Sequence, residues 1–249
     1  MISFTNKTVI VTGGGSGVGV QIVKIFAKAK ANVAFTYLNS DAEAKKLVKE
    51  LGNNVKAYKL NQADVPSIEK VLKKIKKDFG RIDVLVNNAG IYPNKPVMEL
   101  TEQDWDQMQD TNTKGVFFLC KEAYKLMEKD GAIINISSIN AYNPNPNLVH
   151  YGTSKAGVEM ITRSLAQEFG PKVRVNCIAP GLIYRKGIEQ AIPTWVESYQ
   201  ERSPLHKLVD PKEIGNTALF LASNLASGIT GQIITVDAGI GLAPYFNNK

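Results

Sequence analysis

Short apolar runs alternate along this chain with longer stretches in which apolar residues recur every three or four positions. The runs at 7–11, 32–37, 55–60, 82–86, 132–137, 173–178 and 232–236 read as strands. Between them, 20–30, 41–51, 66–79, 116–127, 151–169 and 210–222 read as helices. In the first helix Ile22, Val23, Phe26 and Ala27 face the sheet, and Val158, Ile161, Leu165 and Phe169 form the stripe of a later one. The strands are nearly all apolar, as parallel strands covered on both faces are. Strand and helix in strict alternation predict an α/β fold: a Rossmann-like, doubly wound parallel sheet with helices on both faces. The length of 249 residues suits one domain, residues 1–249. Only 182–208 breaks the pattern. There Pro193 and Pro204 bracket an amphipathic piece with Trp195, Val196 and Tyr199, a long irregular stretch that reads as a substrate lid.

Composition changes this picture little. With 44% hydrophobic and 21% charged residues the chain has globular character, and disorder is expected only at the final Asn247-Asn248-Lys249. The net charge of +7 raises the question of nucleic acid. Yet Lys70, Lys73, Lys74, Lys76 and Lys77 lie opposite the stripe Ile68, Val71, Leu72, Ile75 and Phe79, so they read as a solvated helix face. Cys120 and Cys177 sit among apolar neighbours without metal-ligand spacing and read as buried thiols of a reducing compartment. No run approaches about 18 apolar residues, and the start lacks a charged segment leading into an apolar one. A cytoplasmic protein without a membrane span, a metal or a nucleic-acid partner is expected.

Candidate chemistry gathers where strands end. Residues 12–19, Thr-Gly-Gly-Gly-Ser-Gly-Val-Gly, lie between a strand and a helix. Glycines there let the backbone approach a pyrophosphate, and the helix end offers free N–H groups. The second strand ends in Tyr37, Leu38, Asn39 and Ser40, with neither an acid for ribose hydroxyls nor an arginine for a 2′-phosphate. Ser40 and Glu43 have capping-box spacing, which places Asp41 in a first helical turn in a structural role. Without a carboxylate to repel phosphate, and with Asn39 and Ser40 at hand, NADP is favoured over NAD. Asn61 or Gln62 ends the third strand and could touch adenine, and 87–90, Asn-Asn-Ala-Gly, ends the fourth. Asn112, a mediocre helix former, sits within a helical stretch, where either a functional duty or an internal position satisfied by a water would explain it.

Ser137 and Ser138 end the fifth strand, and a proline-containing loop at 143–147 leads to Tyr151-Gly152-Thr153-Ser154-Lys155. On a helix Tyr151 and Lys155 share a face. A cation beside a phenol favours the phenolate, and lowering its pKa from about 10 to about 7 takes roughly 4 kcal/mol. The small residues Ala156 and Gly157 permit close approach of another backbone. His150 and His206 have no recognisable carboxylate or serine partner, and His150 reads as a solvated loop histidine.

Together these motifs resemble the short-chain dehydrogenase/reductase family over essentially the whole chain. The matching residues are Thr12-Gly13-x-x-x-Gly17-x-Gly19, 87–90, Asn112, Ser138, Tyr151-x-x-x-Lys155 and Pro180-Gly181. The resemblance implies an NAD(P)-dependent oxidoreductase acting on a secondary alcohol or its ketone. It implies that Tyr151 exchanges a proton with the substrate oxygen, that Ser138 hydrogen-bonds that oxygen, and that Lys155 binds the nicotinamide ribose and lowers the tyrosine's pKa. Asn112 would hold a water leading to Lys155. The implied cofactor contacts are Gly13, Ser16, Gly17, Val18, Gly19, Tyr37, Asn39, Ser40, Asn61, Asn88, Ala89, Gly90, Tyr151, Lys155, Pro180, Gly181 and Ile183. Four positions depart from the family's habit: Arg185 stands where threonine is common, Asn61 where aspartate is, Ser16 where NADP-preferring relatives often carry a base, and Ala238 where glycine is usual.

Within the family the resemblance extends to 3-oxoacyl-carrier-protein reductases, whose acidic carrier protein would suit the basic charge, and to sugar or polyol dehydrogenases. A homotetramer is implied. A catalytically idle cofactor sensor or scaffold would lack one of Ser138, Tyr151 and Lys155, and all three are present.

Overall fold

The apolar runs pair side by side in the computed structural model, which describes residues 2–242. Asn247 to Lys249 lie outside the described residues. In chain order the first half holds β1 (Thr8–Val11), α1 (Gly17–Lys28), β2 (Asn32–Tyr37), α2 (Asp41–Leu51), β3 (Val55–Lys59), α3 (Val65–Phe79) and β4 (Val84–Asn87). Next come α4 (Glu102–Gln109), a π-helical turn (Asp110–Lys114), α5 (Gly115–Leu126), β5 (Gly131–Ile136), α6 (Val149–Phe169) and β6 (Val173–Pro180). The chain then forms α7 (Ile188–Ala191), α8 (Pro193–Arg202), α9 (Pro211–Ala222) and β7 (Ile233–Val236).

The seven strands make one parallel sheet in the order β3-β2-β1-β4-β5-β6-β7. The order reverses direction between β1 and β4, the switch point where such sheets open a crevice for a ligand. Successive side chains of a strand point to opposite faces. Val9 and Val11 therefore join Ile22, Val23 and Phe26 of α1, Leu47 of α2 and Ile214 and Leu221 of α9 in one core layer. Ile10 points the other way, to Ile68 and Leu72 of α3, Leu119 of α5 and Val158 and Leu165 of α6. Each such fully buried side chain contributes about 1.5–3 kcal/mol. Gly215 lets α9 sit close to α1, since a Cβ there would lie 2.5 Å from Ile25 Cδ1. Cys120 and Cys177 are buried as expected, and burial pushes both thiols up to about 12.

Several boundaries differ from the sequence expectation. Helix α1 starts at Gly17 rather than 20, because the glycine turn itself supplies the first helical turn. Helix α6 starts at Val149, two residues before Tyr151. The capping box expected at Ser40 does not form: its side chain makes no cap bond, and the Asp41 carboxylate accepts from Lys59 Nζ at 3.3 Å. The Ser40 hydroxyl instead packs against Gly15, where a Cβ would collide with it. Capping boxes form at Thr101 with Asp104 and at Asp210 with Glu213.

The 182–208 stretch is ordered around a small core of its own. Ile188, Val196, Tyr199 and Leu208 pack with Ile139 and Ile240. The Tyr199 hydroxyl donates to the Asp237 carbonyl at 2.6 Å and fills the space beside Gly181. Tyr199→Phe strips that carbonyl of its donor, and a loss of about 1–2 kcal/mol is expected in chemical denaturation. An unchanged midpoint would remove this bond from what holds the segment down.

Candidate active site

The crevice at the switch point is stitched from both sides. Thr12 Oγ1, just past β1, accepts from the backbone N–H groups of Asn88 and Ala89 at 3.0 Å each. Asn88 Nδ2 returns to the carbonyls of Thr12 and Gly13 at 2.9 and 3.3 Å. The amide of Asn88, expected at the cofactor, is thus spent on holding the turn. Gly13 has φ +65°, and a Cβ on it would press on the Ala89 backbone at 2.9 Å. Gly19 is required for a similar reason, because a Cβ would run into the Gly13 carbonyl.

Gly17, by contrast, has φ +53° and nothing within 4 Å of where a Cβ would be. Ser16 offers the helix no side-chain cap, so the N–H groups that open α1 at Gly17, Val18 and Gly19 face outward without a protein acceptor among the described residues. An uncapped helix N-terminus with an open glycine surface fits the pyrophosphate of a dinucleotide.

Along the crevice, Tyr37 is half-buried, Asn39 is exposed and Ser40 lies against the glycine turn. Asn61 stays at the rim, its side-chain oxygen accepting from Ala63 N. Gln62 is buried and binds the carbonyls of Ala89 and Thr111, so it ties β3's end to β4's end and is removed from any adenine. On the far side Pro180 is buried and Gly181 meets Tyr199. Ile183 packs into the α1/α9 core layer and pairs with Val209, while Arg185 is exposed.

The π-helical turn explains why Asn112 tolerates a helix interior. Its Oδ1 accepts from Ile91 N at 2.9 Å and its Nδ2 donates to Ile91 O at 2.8 Å and to Ser154 Oγ at 3.2 Å. One buried amide therefore clamps the chain leaving β4 to α6. Gly90 lies in the gap between Asn112 and Lys155: a Cβ there would be 3.1 Å from Asn112 Oδ1 and 3.6 Å from Lys155 Nζ. Gly157 brings α6 against the same turn, with Thr113 Cγ2 3.0 Å from its Cβ position, as the small residues there predict.

Helix α6 presents Tyr151 and Lys155 to the end of β5. Lys155 is buried, and its ammonium donates to the Ile136 carbonyl at 2.8 Å. That is its one hydrogen bond among the described residues, which leaves donors for ribose hydroxyls. Burial lowers this ammonium to about 8. The expected lowering of the Tyr151 phenol is not met in the protein alone. Burial raises it, the Ser138 hydroxyl beside it works in the opposite sense, and the Lys155 ammonium lies 5.7 Å from the ring centre. The lysine's charge is directed at a strand carbonyl rather than at the phenol oxygen.

Four participants have no role of their own in the sequence, although Thr12 and Ser137 stand within its motifs. The Ser137 hydroxyl lies 3.0 Å from Glu159 Oε1 and 3.2 Å from Lys155 O, and its one proton donates to either of these α6 acceptors, pinning α6 to β5. Tyr92 meets the Tyr151 ring edge-on at 6.4 Å. Thr12 is the acceptor that joins β1 to β4. Lys59 stands opposite Tyr37 in the β2–β3 register. The reading of His150 as a solvated loop residue is overturned. Helix α6 begins two residues early and includes His150, whose side chain is fully buried, and the Gln109 amide binds its backbone carbonyl.

The family model described as "Enoyl-(Acyl carrier protein) reductase" matches residues 13–241. The chain is similar to the 3-oxoacyl-[acyl-carrier-protein] reductase of Chlamydia muridarum, 37% identical over 94% of this chain and 97% of that protein. It is similar in structure to a short-chain dehydrogenase/reductase from Brucella melitensis described as a glucose/ribitol dehydrogenase. Their TM-score is 0.92 at 33% identity, covering 96% of this chain and 98% of that one. A short-chain dehydrogenase from Burkholderia cenocepacia, solved in complex with NADP, gives a TM-score of 0.88 at 26% identity, with coverage of 95% and 98%.

The buried ammonium makes a prediction about stability. Its fall from 10.5 to about 8 corresponds to a cost of about 3 kcal/mol. The folded chain holds this proton less tightly than the unfolded chain, so the cost is full below pH 8, fades as pH rises toward 10.5 and then vanishes. Lys155→Met is therefore expected to be more stable than the parent at pH 7 by about 1–3 kcal/mol, after allowing for the lost bond to Ile136. Denaturation at pH 7 and at pH 10 should show the gap closing. A gap of constant size would contradict this account.

Proposed function

The chain belongs to the short-chain dehydrogenase/reductase family and is an NAD(P)-dependent oxidoreductase, and on that premise we propose that it reduces the ketone of a 3-oxoacyl group carried on an acidic acyl carrier protein. NADPH is the cofactor of this reading. The observation that carries it is the meeting of the Tyr151 phenol, the Ser138 hydroxyl and the buried Lys155 ammonium at the end of β5. The kinship with the Chlamydia muridarum reductase supports the substrate class.

Bound dinucleotide supplies the hydride. Tyr151 gives its proton to the ketone oxygen, and Ser138 holds that oxygen by a hydrogen bond, so the charge that develops there is met by two hydroxyls. Burial favours the protonated phenol, which suits reduction at neutral pH. Lys155 uses its spare donors on the nicotinamide ribose and steadies the phenolate left behind. A water near Asn112 returns the proton by way of Lys155. The segment at 182–208 closes over the substrate as a lid. NADP is preferred because β2 ends without a carboxylate, and the NADP complex of the Burkholderia cenocepacia relative supports this.

A second reading, oxidation of a sugar or polyol, is favoured by the description of the Brucella melitensis relative. The same site runs in reverse for it, with Tyr151 as base. In either reading the protein works as a homotetramer, and the exposed Trp105, Phe117 and Met160 on α4 to α6 support a subunit contact there. Mass in solution tests it.

Tyr151→Phe removes the proton donor and leaves the ring. Turnover is expected to fall by about a hundredfold or more, with dinucleotide affinity within about twofold of the parent in a fluorescence titration. Activity above a few per cent would sink the assigned role. A panel of 3-oxoacyl thioesters, glucose and ribitol with both cofactors separates the two readings by kcat/KM.

A further inference from the structure

We propose that Lys59 recognises the 2′-phosphate of NADPH by exchanging its Asp41 partner for it, so that Asp41 moderates the lysine's charge and competes with the phosphate. The proposal rests on the dinucleotide reading above and names a specificity residue for it. From Ala31 to Ala44 the chain has no lysine or arginine, and the glycine turn at 12–19 has none either. By sequence alone, then, the end of β2 lacks a cation for a phosphate. Strand pairing supplies one. Tyr37, the last residue of β2, stands opposite Lys59, the last residue of β3. In sheets of this topology the end of the second strand is where the adenine ribose is read.

The Lys59 ammonium reaches past that end to Asp41, the first residue of α2, at 3.3 Å. The Lys59 side chain is more than half exposed and that of Asp41 is half exposed, so both are available to a ligand. Ser40 and Asn39 lie directly before Asp41, and Ser40 packs on Gly15 of the glycine turn. A ribose placed between the turn and β2 therefore meets Asn39, Ser40 and Lys59 on one side. Asp41 would repel a phosphate if it stood alone. Paired with Lys59 it is neutralised, and swinging the flexible lysine onto a dianionic phosphate exchanges a carboxylate partner for a more highly charged one.

The test is direct binding, read by fluorescence, of NADPH and NADH to the parent protein, Lys59→Met and Asp41→Asn at one low ionic strength, with 2′-AMP as competitor. Lys59→Met is expected to weaken NADPH and 2′-AMP about tenfold while NADH stays within about twofold. Asp41→Asn is expected to tighten NADPH. Equal effects of Lys59→Met on both dinucleotides, or no effect on NADPH, would overturn the assignment, as would parent protein that binds NADH more tightly. Selective loss of NADH affinity in Asp41→Asn would make Asp41 the ribose ligand and overturn it too. Failure of the folded parent to bind either dinucleotide would instead bring down the underlying reading, and this proposal with it.

Discussion

A lysine ammonium held inside the protein against a strand carbonyl is the constraint around which the rest of the site is built. Lys155 loses hydration when α6 packs on the sheet, and among the described residues one backbone oxygen, that of Ile136, receives it. Such a group is tolerated because other interactions over-determine the position of α6. Behind it a buried polar chain runs from Asn87 Nδ2 to Asn135 Oδ1 at 2.8 Å, and from Asn135 Nδ2 to Thr162 Oγ1 at 2.9 Å. It ties β4, β5 and α6 in one register. A buried amide with its partners supplied is cheap, whereas one left over costs a kilocalorie or more, about 1–3 kcal/mol. Sliding α6 by one residue would strand several of them.

The same logic explains the π-helical turn. An α-helix continuing through residues 110–114 would turn the Asn112 amide elsewhere. The wider turn directs it to both backbone groups of Ile91 and to Ser154. Local helix geometry is given up, and the chain leaving β4 gains a fixed path beside Lys155. On the opposite side of the crevice Thr12 and Asn88 perform the corresponding service for the glycine turn. In both places a loop at the crevice is bonded to a segment distant in sequence, which fixes its path.

Much of the architecture was legible in the residues. Runs such as Ile133-Ile134 within β5 are apolar without alternation, which only a strand covered on both faces explains, and the helix stripes name the faces that cover it. Tyr151, Lys155, Ser138 and the glycine turn were recognisable because their chemistry depends on residue type at short spacing. What escaped notice depends on contacts between distant positions. Gln62 could not be told from a ligand-facing residue until Ala89 and Thr111 were seen to claim its amide. His150 could not be placed until the true start of α6 turned it inward. The Ser40 capping box had the right spacing and still failed, because the Ser40 hydroxyl packs against Gly15 of the glycine turn instead.

By itself, then, the order of residues determined the doubly wound sheet, the family it resembles and the candidate reacting groups, since these follow from periodicity and from short-range spacing. The tertiary structure alone decided which polar groups are free to act. Whether an amide or ammonium faces a ligand or a neighbouring carbonyl is settled by strand register and helix docking. Lys59 beside Tyr37, 22 positions away in sequence, is the case in point: parallel pairing put a cation where the local sequence has none.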